Sequence, residues 1–318
     1  MTPFMLKPGL QDYIWGGTRL KDEWGKQTDK AIIAESWELS AQAHCSSVIH
    51  TGPLAGMPFT EFCQRYPEAM GTQSTADIFP ILIKLIDARQ ALSVQVHPDD
   101  RYAARVENGL GKTEVWIVLD SEPGASLYFG VKEDTTREEL ERRIADNTLT
   151  DILRSVPARP GDVFFIPAGT IHAIGARLLI AEVQQNSNTT YRVYDYGRIG
   201  ADGNPRELHV EKALDVSTLS PTPLQCPGAA TLADTAEYTL RRLIACPYFT
   251  VDRLDLRGRY AGKTTSRSFL HLLCVDGEAE LCSGGETLLL KKGDSAFLPA
   301  QEAEFSLTGE AELLCSGV

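Results

Sequence analysis

Gln95 and His97 stand two positions apart, Lys112 and Glu114 are spaced the same way, and His172 follows the turn-forming run Pro167-Ala168-Gly169-Thr170. Residues at i and i+2 of a strand share a face, so each pair presents its side chains in one direction. Two imidazoles, a carboxylate and an amide oxygen make a mixed nitrogen and oxygen donor set that suits a divalent ion. Such a site keeps room for a water or a sugar hydroxyl and acts as a Lewis acid. Taken singly, a histidine in a β-rich chain is more often a hydrogen-bonded polar residue than a ligand, so the expectation rests on the combination. His44, His50, His209 and His271 lack that company and are expected to be structural.

A second polar series follows. Ile180, Glu182, Gln184 and Asn186 alternate and share one face, although alternation leaves open whether that face is a pocket. A carboxylate beside a cation stays ionised, and a desolvated one has a raised pKa. Glu182 therefore has two comparable readings, an acid/base group or an ion pair that orients Arg192.

Short strands must position these residues. Period-two alternation over 33–39, 46–51, 92–97, 114–119, 162–167 and 179–186, with Gly/Pro turns between, predicts a mainly β chain of jelly-roll type. Helices are expected over 58–70, 98–108 and 136–154. The last opens with Thr136 and Glu139 as a capping box and forms a helical insert around 133–156. The Ser/Thr/Pro/Ala/Gly-rich stretch 217–240, including SPTPLQCPGAAT, reads as a linker between a domain over 1–216 and a smaller β domain over 241–318. That smaller domain holds a faint repeat: Gly161-Asp162, Pro167-Ala168 and His172 recur at the same spacing as Gly293-Asp294, Pro299-Ala300 and Glu304. The second copy keeps the turn residues and loses the ligand, so it reads as structural.

Composition sets limits. The chain has 318 residues, 43% of them hydrophobic, and a net charge of −12. No apolar run approaches the ~20 residues of a membrane helix, and the N-terminus does not read as a signal peptide, so a cytoplasmic protein is expected. The seven cysteines are odd in number and include no C-x-x-C pair, which speaks against a disulfide framework or a thiolate zinc site. An acidic field repels nucleic acid and anionic lipid, and neither is expected as a partner. The same field repels phosphorylated metabolites, so a phosphorylated substrate requires a local basic cluster.

Gly161-x5-Pro167-x-Gly169-x2-His172 resembles the second cupin motif, with Ala176 where an Asn usually follows. The usual short step from His to Glu is replaced by a long insertion between His97 and Glu114, which is what type I mannose-6-phosphate isomerases show. Residues 5–215 resemble the short bacterial form of that family. The resembling segments are Tyr13-Ile14-Trp15-Gly16-Gly17, Glu35-Ser36-Trp37-Glu38, Leu92 through Asp99, Lys112-Thr113-Glu114 and Glu182 through Arg192.

The resemblance implies a cupin β-barrel with helical insertions and a degenerate C-terminal cupin. It implies one zinc per chain on Gln95, His97, Glu114 and His172, with Arg192 as the catalytic arginine. The implied reaction interconverts mannose 6-phosphate and fructose 6-phosphate through a cis-enediol. Glu182 and Lys112 are competing proton carriers, alongside metal-bound water and His97. Arg198 falls where the family has a phosphate-binding lysine, and Lys112 and Ser93 are further phosphate contacts. Lys7, Trp15 and Trp37 are candidates to line the site. The substrate is a small sugar phosphate, and monomer and homodimer both stay open. Two other readings are an iron cupin using His97, Glu114 and His172 for oxygen chemistry, and a non-catalytic sugar-phosphate-binding protein. The first leaves Gln95, Lys112, Arg192 and Arg198 without a role, and retention of every proposed ligand and of Arg192 argues against the second.

Overall fold

The strand Ile81–Ala88 is buried along its whole length, because its sheet is covered on both faces. The structure is a computed structural model that describes residues 1–73, 78–199 and 203–318. One sheet runs Val163–Ile166, Glu114–Ser121, Leu178–Gln185, Ile81–Ala88, Glu35–Leu39, Gly9–Gln11. A second runs Tyr191–Tyr194, Val94–Val96, His172–Ala173, Ser126–Val131, Leu153–Pro157. They face each other as the halves of a barrel, filled by Ile86, Trp116, Leu127, Phe129, Ile166 and Ile180.

The other face of the first sheet carries Ile81, Ile83, Leu85, Val115, Ile117 and Val183. These pack on Ile244, Val251, Leu273 and Leu314 and on a cluster of Phe59, Phe62, Phe79, Phe269 and Phe297. Strands buried on both faces read as near-continuous apolar runs. Among the polar residues in these runs, Lys84, Glu114, Glu182 and Gln184 lie at barrel-facing positions, opposite in parity to the packing set.

The third sheet is built mainly from the C-terminal part, between Ala230–Asp234 and Ala303–Gly317, and is completed by the N-terminal strands Phe4–Lys7 and Val48–Ile49. The chain's two ends are thus joined in one sheet. Ala230–Asp234, inside the stretch read as linker, is an edge strand paired with Tyr238–Ala245. In the repeat, Gly161 and Gly293 both take left-handed φ, 90° and 89°, before the strands Val163–Ile166 and Ser295–Leu298. Glu304 is exposed and pairs with Lys263 at 3.0 Å, whereas His172 is buried.

Helices form at Phe59–Arg65, with a 3-10 turn at Pro67–Met70, and at Asp100–Val106, capped by Asp99 through Tyr102 N at 2.7 Å. Thr136 caps Arg137–Ala145 through Glu139 N at 3.2 Å. That helix is shorter than expected. Asn147 takes φ 56°, the 3-10 turn Leu149–Asp151 follows, and Leu153 enters a strand. Ile152 and Leu153 are apolar because they continue the core beneath the helix, not because they extend it. Together with Val210–Val216, the helix covers the outer face of the second sheet, with Leu140, Ile144, Ala213 and Leu214 against Val94, Val96 and Val131.

Candidate active site

Gln95 stands on an interior strand of the second sheet, paired with His172 on one side and Arg192 on the other. Directly opposed residues of an antiparallel ladder share a face, so all three project into the barrel. From the facing sheet Glu114, opposite Gln184, projects toward them.

His97 Nδ1 lies 2.9 Å from Thr189 O, and His172 Nδ1 lies 2.8 Å from Thr170 O. A carbonyl can only accept, so both Nδ1 atoms carry hydrogen and both Nε2 atoms offer a lone pair. Those atoms face Glu114, at 3.5 Å for His97 and 3.3 Å for His172. Burial drives both imidazoles toward the neutral form, holding His172 at about 4 and His97 well below 6.5. Burial also pushes Glu114 up to about 7, against the pull of Lys112. Among the described residues, Glu114 Oε1 and His172 Nε2 are buried with no hydrogen-bond partner. The ligand atoms of His97, Glu114 and His172 all lie within 4.8 Å of one another. Unsatisfied buried lone pairs that converge, each imidazole fixed by a carbonyl behind it, fit a divalent cation. Lys112 Nζ shares the nest, 3.0 Å from Glu114 Oε2 and 3.1 Å from His97 Nε2.

A cavity of about 310 Å³ adjoins this nest and is lined by Tyr13, Trp15 and Ser93, by Gln95 and Lys112, and by Glu35, Lys84, Glu182, Arg192 and Arg206. A larger one of about 560 Å³ lies across the 186–189 loop, and among the described residues no charged side chain lines it. In the smaller cavity Lys84 Nζ lies 3.1 Å from Glu182 Oε1 and 3.6 Å from Glu35 Oε2. Trp116 Nε1 donates to Glu182 at 2.8 Å, and Trp37 Nε1 donates to Glu35 at 2.6 Å. Burial alone would raise the Glu182 pKa, but Lys84 and then Lys112 outweigh it and bring it to about 2. Burial likewise opposes the Lys84 charge, and Glu182 and Glu35 reverse that and raise its pKa.

Glu182 therefore pairs with Lys84, and the reading in which it merely orients Arg192 is corrected. Arg192 is held instead by Ser93, its Nε donating to Oγ at 3.3 Å, and by Glu207 O, to which Nη1 donates at 3.0 Å. Arg198 turns onto Asp195 and onto Ala91 O at 2.7 Å and stacks on Tyr196. Of the two arginines on Asp195, Arg206 is the one that lines the cavity, gripping that carboxylate at 2.7 and 2.6 Å. Trp15 lines the cavity, and Trp37 packs behind Lys84 at 5.1 Å from the ring centre. Lys7 is exposed on the third sheet.

Sequence reasoning missed Lys84, Glu35 and Arg206 as site residues. Lys84 carried a signal, being a lysine amid the apolar run Ile81–Ile86 that needs a buried partner. Arg206 carried none, because the turn that separates it from Arg192 hides its place.

A jelly-roll barrel with two neutral histidines and a glutamate converging inside defines a metal-binding cupin. Residues 4–113 match the family described as phosphomannose isomerase type I, catalytic domain, and residues 239–318 match the mannose-6-phosphate isomerase cupin domain. The chain is 39% identical over 280 residues to mannose-6-phosphate isomerase ManA of Bacillus subtilis, covering 88% of this chain and 87% of that one. It is 39% identical over 256 residues to the mannose-6-phosphate isomerase of Streptococcus mutans, covering 80% and 79%. A crystal structure of mannose 6-phosphate isomerase from Bacillus subtilis superposes with a TM-score of 0.93 at 35% identity over 99% of both chains. The chain belongs to the type I phosphomannose isomerases, a family of metal-dependent isomerases.

Proposed function

We propose that this protein interconverts D-mannose 6-phosphate and D-fructose 6-phosphate through a cis-enediol, with one zinc per chain on Gln95, His97, Glu114 and His172. The observation that supports it most is the joining of two sites. Lys112 lines the cavity and contacts the ligand nest, Gln95 lines it in register with His172, and Arg192, Glu182 and Lys84 line the same cavity. When bound, the divalent ion supplies a Lewis acid for a sugar oxygen.

The remaining roles belong to the chain. Glu182, ionised between Lys84 and Trp116, carries the proton between C2 and C1. Lys112 and Lys84 donate hydrogen bonds to the sugar oxygens. Arg192, always protonated and planar, stabilises the enediolate from its place beside Gln95.

Among the described residues four cations, Lys84, Lys112, Arg192 and Arg206, line the cavity against two carboxylates, Glu35 and Glu182. That local excess offsets a chain charge of −12 and suits a phosphorylated sugar. Arg206 takes the phosphate bidentately with Ser93 nearby, and Arg198 reinforces it from behind Asp195. The seven cysteines are free thiols, which suits a reducing cytoplasm, and no helix among the described residues is long and apolar enough to cross a membrane.

A coupled assay from fructose 6-phosphate, with and without chelator, is the test. Expected are turnover, its loss on chelation, its return with zinc, and about one zinc per purified chain. Turnover that survives complete metal removal would sink the metal's role, and a zinc-loaded protein without turnover would sink the reaction.

A further inference from the structure

The strand Glu35–Leu39 serves two neighbours. Its odd positions hold the cavity: Glu35 pairs with Lys84, and Trp37 donates to Glu35 and packs against Lys84. Glu38 has no solvent exposure and pairs with Lys26, itself almost buried, at 2.6 Å. Ser36 Oγ donates to the same carboxylate at 2.6 Å. Lys26 Nζ also donates to Gly293 O at 2.5 Å. Ser295 Oγ donates to the Glu38 backbone carbonyl at 3.3 Å, and buried His271 Nε2 lies 2.6 Å from that hydroxyl.

Gly293, Ser295 and His271 all belong to the C-terminal unit, in strands or turns of the third sheet. The register of Glu35–Leu39 against Ile81–Ala88 shifts between Trp37 and Leu39, so Glu38 sits at a bulge. Bulges re-aim the side chains beside them. A buried carboxylate with one cation is costly to maintain and is a poor source of stability, whereas a connected buried polar network specifies one arrangement. The network here reaches from the C-terminal sheet to the strand that aims Glu35 at Lys84.

We propose that Glu38, clasped by Lys26 and by the C-terminal Ser295–His271 pair, is a positioning residue for isomerisation that sets where Glu35 holds Lys84 in the cavity. The inference rests on the isomerase reading and gives the C-terminal unit a part in catalysis, although the unit carries no metal ligand.

The test compares Glu38→Gln in the wild-type chain and in a Glu35→Gln background, with turnover by the wild-type chain in the same assay establishing the reaction first. Displacement of a catalytic group by a fraction of an ångström costs about tenfold in rate. Expected is a kcat about tenfold lower for Glu38→Gln, with KM and metal content little changed. In Glu35→Gln the same substitution should lower kcat by less than about twofold, because the route through Glu35 is already cut. Ser295→Ala, which leaves the buried ion pair intact, should show the same pattern at about threefold and keeps the test open if Glu38→Gln does not fold. Equal losses in both backgrounds, or wild-type kcat with only a lower melting temperature, would overturn the proposal.

Discussion

Replacing Lys84 by Met keeps an unbranched side chain one atom shorter and removes its charge from between two buried carboxylates. At an effective dielectric of about 20, a unit charge pair at 3.1 Å is worth roughly 5 kcal/mol of attraction, and the pair at 3.6 Å slightly less. Desolvation of the three groups offsets most of this. What remains after the substitution is two buried carboxylates without their cation, a situation that typically costs about 3–5 kcal/mol. The second consequence is chemical. Burial is the largest influence on Glu182 and pushes its pKa up, and Lys84 is the largest influence that brings it down to about 2. Without Lys84 the carboxyl moves toward its neutral form at assay pH and cannot accept a proton. Lys84→Met should therefore lower kcat at neutral pH by about 100-fold or more, the usual scale for a lost acid/base group, and part of that loss should return as pH rises. Urea denaturation should show a matching drop in midpoint. The measurements are kcat against pH in the coupled assay and urea midpoints by circular dichroism. A kcat within about threefold of wild type at pH 7, with an unchanged midpoint, would refute the role of Lys84 in holding Glu182 ionised.

Arg206→Ala should raise KM for mannose 6-phosphate by about tenfold or more and leave any activity on free mannose unchanged; equal effects on both sugars would remove the phosphate contact. Arg198→Ala should act in the same direction but more weakly, because Arg198 reaches the cavity only through Asp195. Chelation should lower the melting temperature as well as activity, since a ligand at a thousandfold excess over its Kd stabilises the folded state by about 4 kcal/mol; calorimetry with and without zinc reads this. His271 is buried, and burial, aided by Lys26, pushes its pKa down to about 3 from the ordinary 6.5. Between those values the unfolded chain binds the extra proton, so this stabilisation is complete above pH 6.5 and is lost as pH falls, at up to about 1.4 kcal/mol per pH unit. Urea titrations from pH 4.5 to 7 should show that slope, reduced in His271→Gln.

The amino-acid sequence made the barrel strands legible and brought the candidate ligands together in local pairs. Gln95 and His97, and Lys112 and Glu114, are local pairs, and local pairs share a face whenever a strand forms. The alternation around Glu182 likewise determined which side chains point together. The Thr136 cap and the start of its helix were legible for the same reason, but its end was not, because Ile152 and Leu153 are apolar for a core that lies beneath the helix.

Only the tertiary structure decided which face of the Glu182 strand lines the cavity, that its partner is Lys84, and that Arg206 and not Arg198 reaches the cavity. It also decided that the first strand of the chain would close the C-terminal sheet and that Glu38 would be clasped from that side. These features join residues up to 293 positions apart. Periodicity is a property of neighbouring residues, whereas an ion pair between distant strands depends on sheet order and register, which follow from how the whole apolar surface is buried.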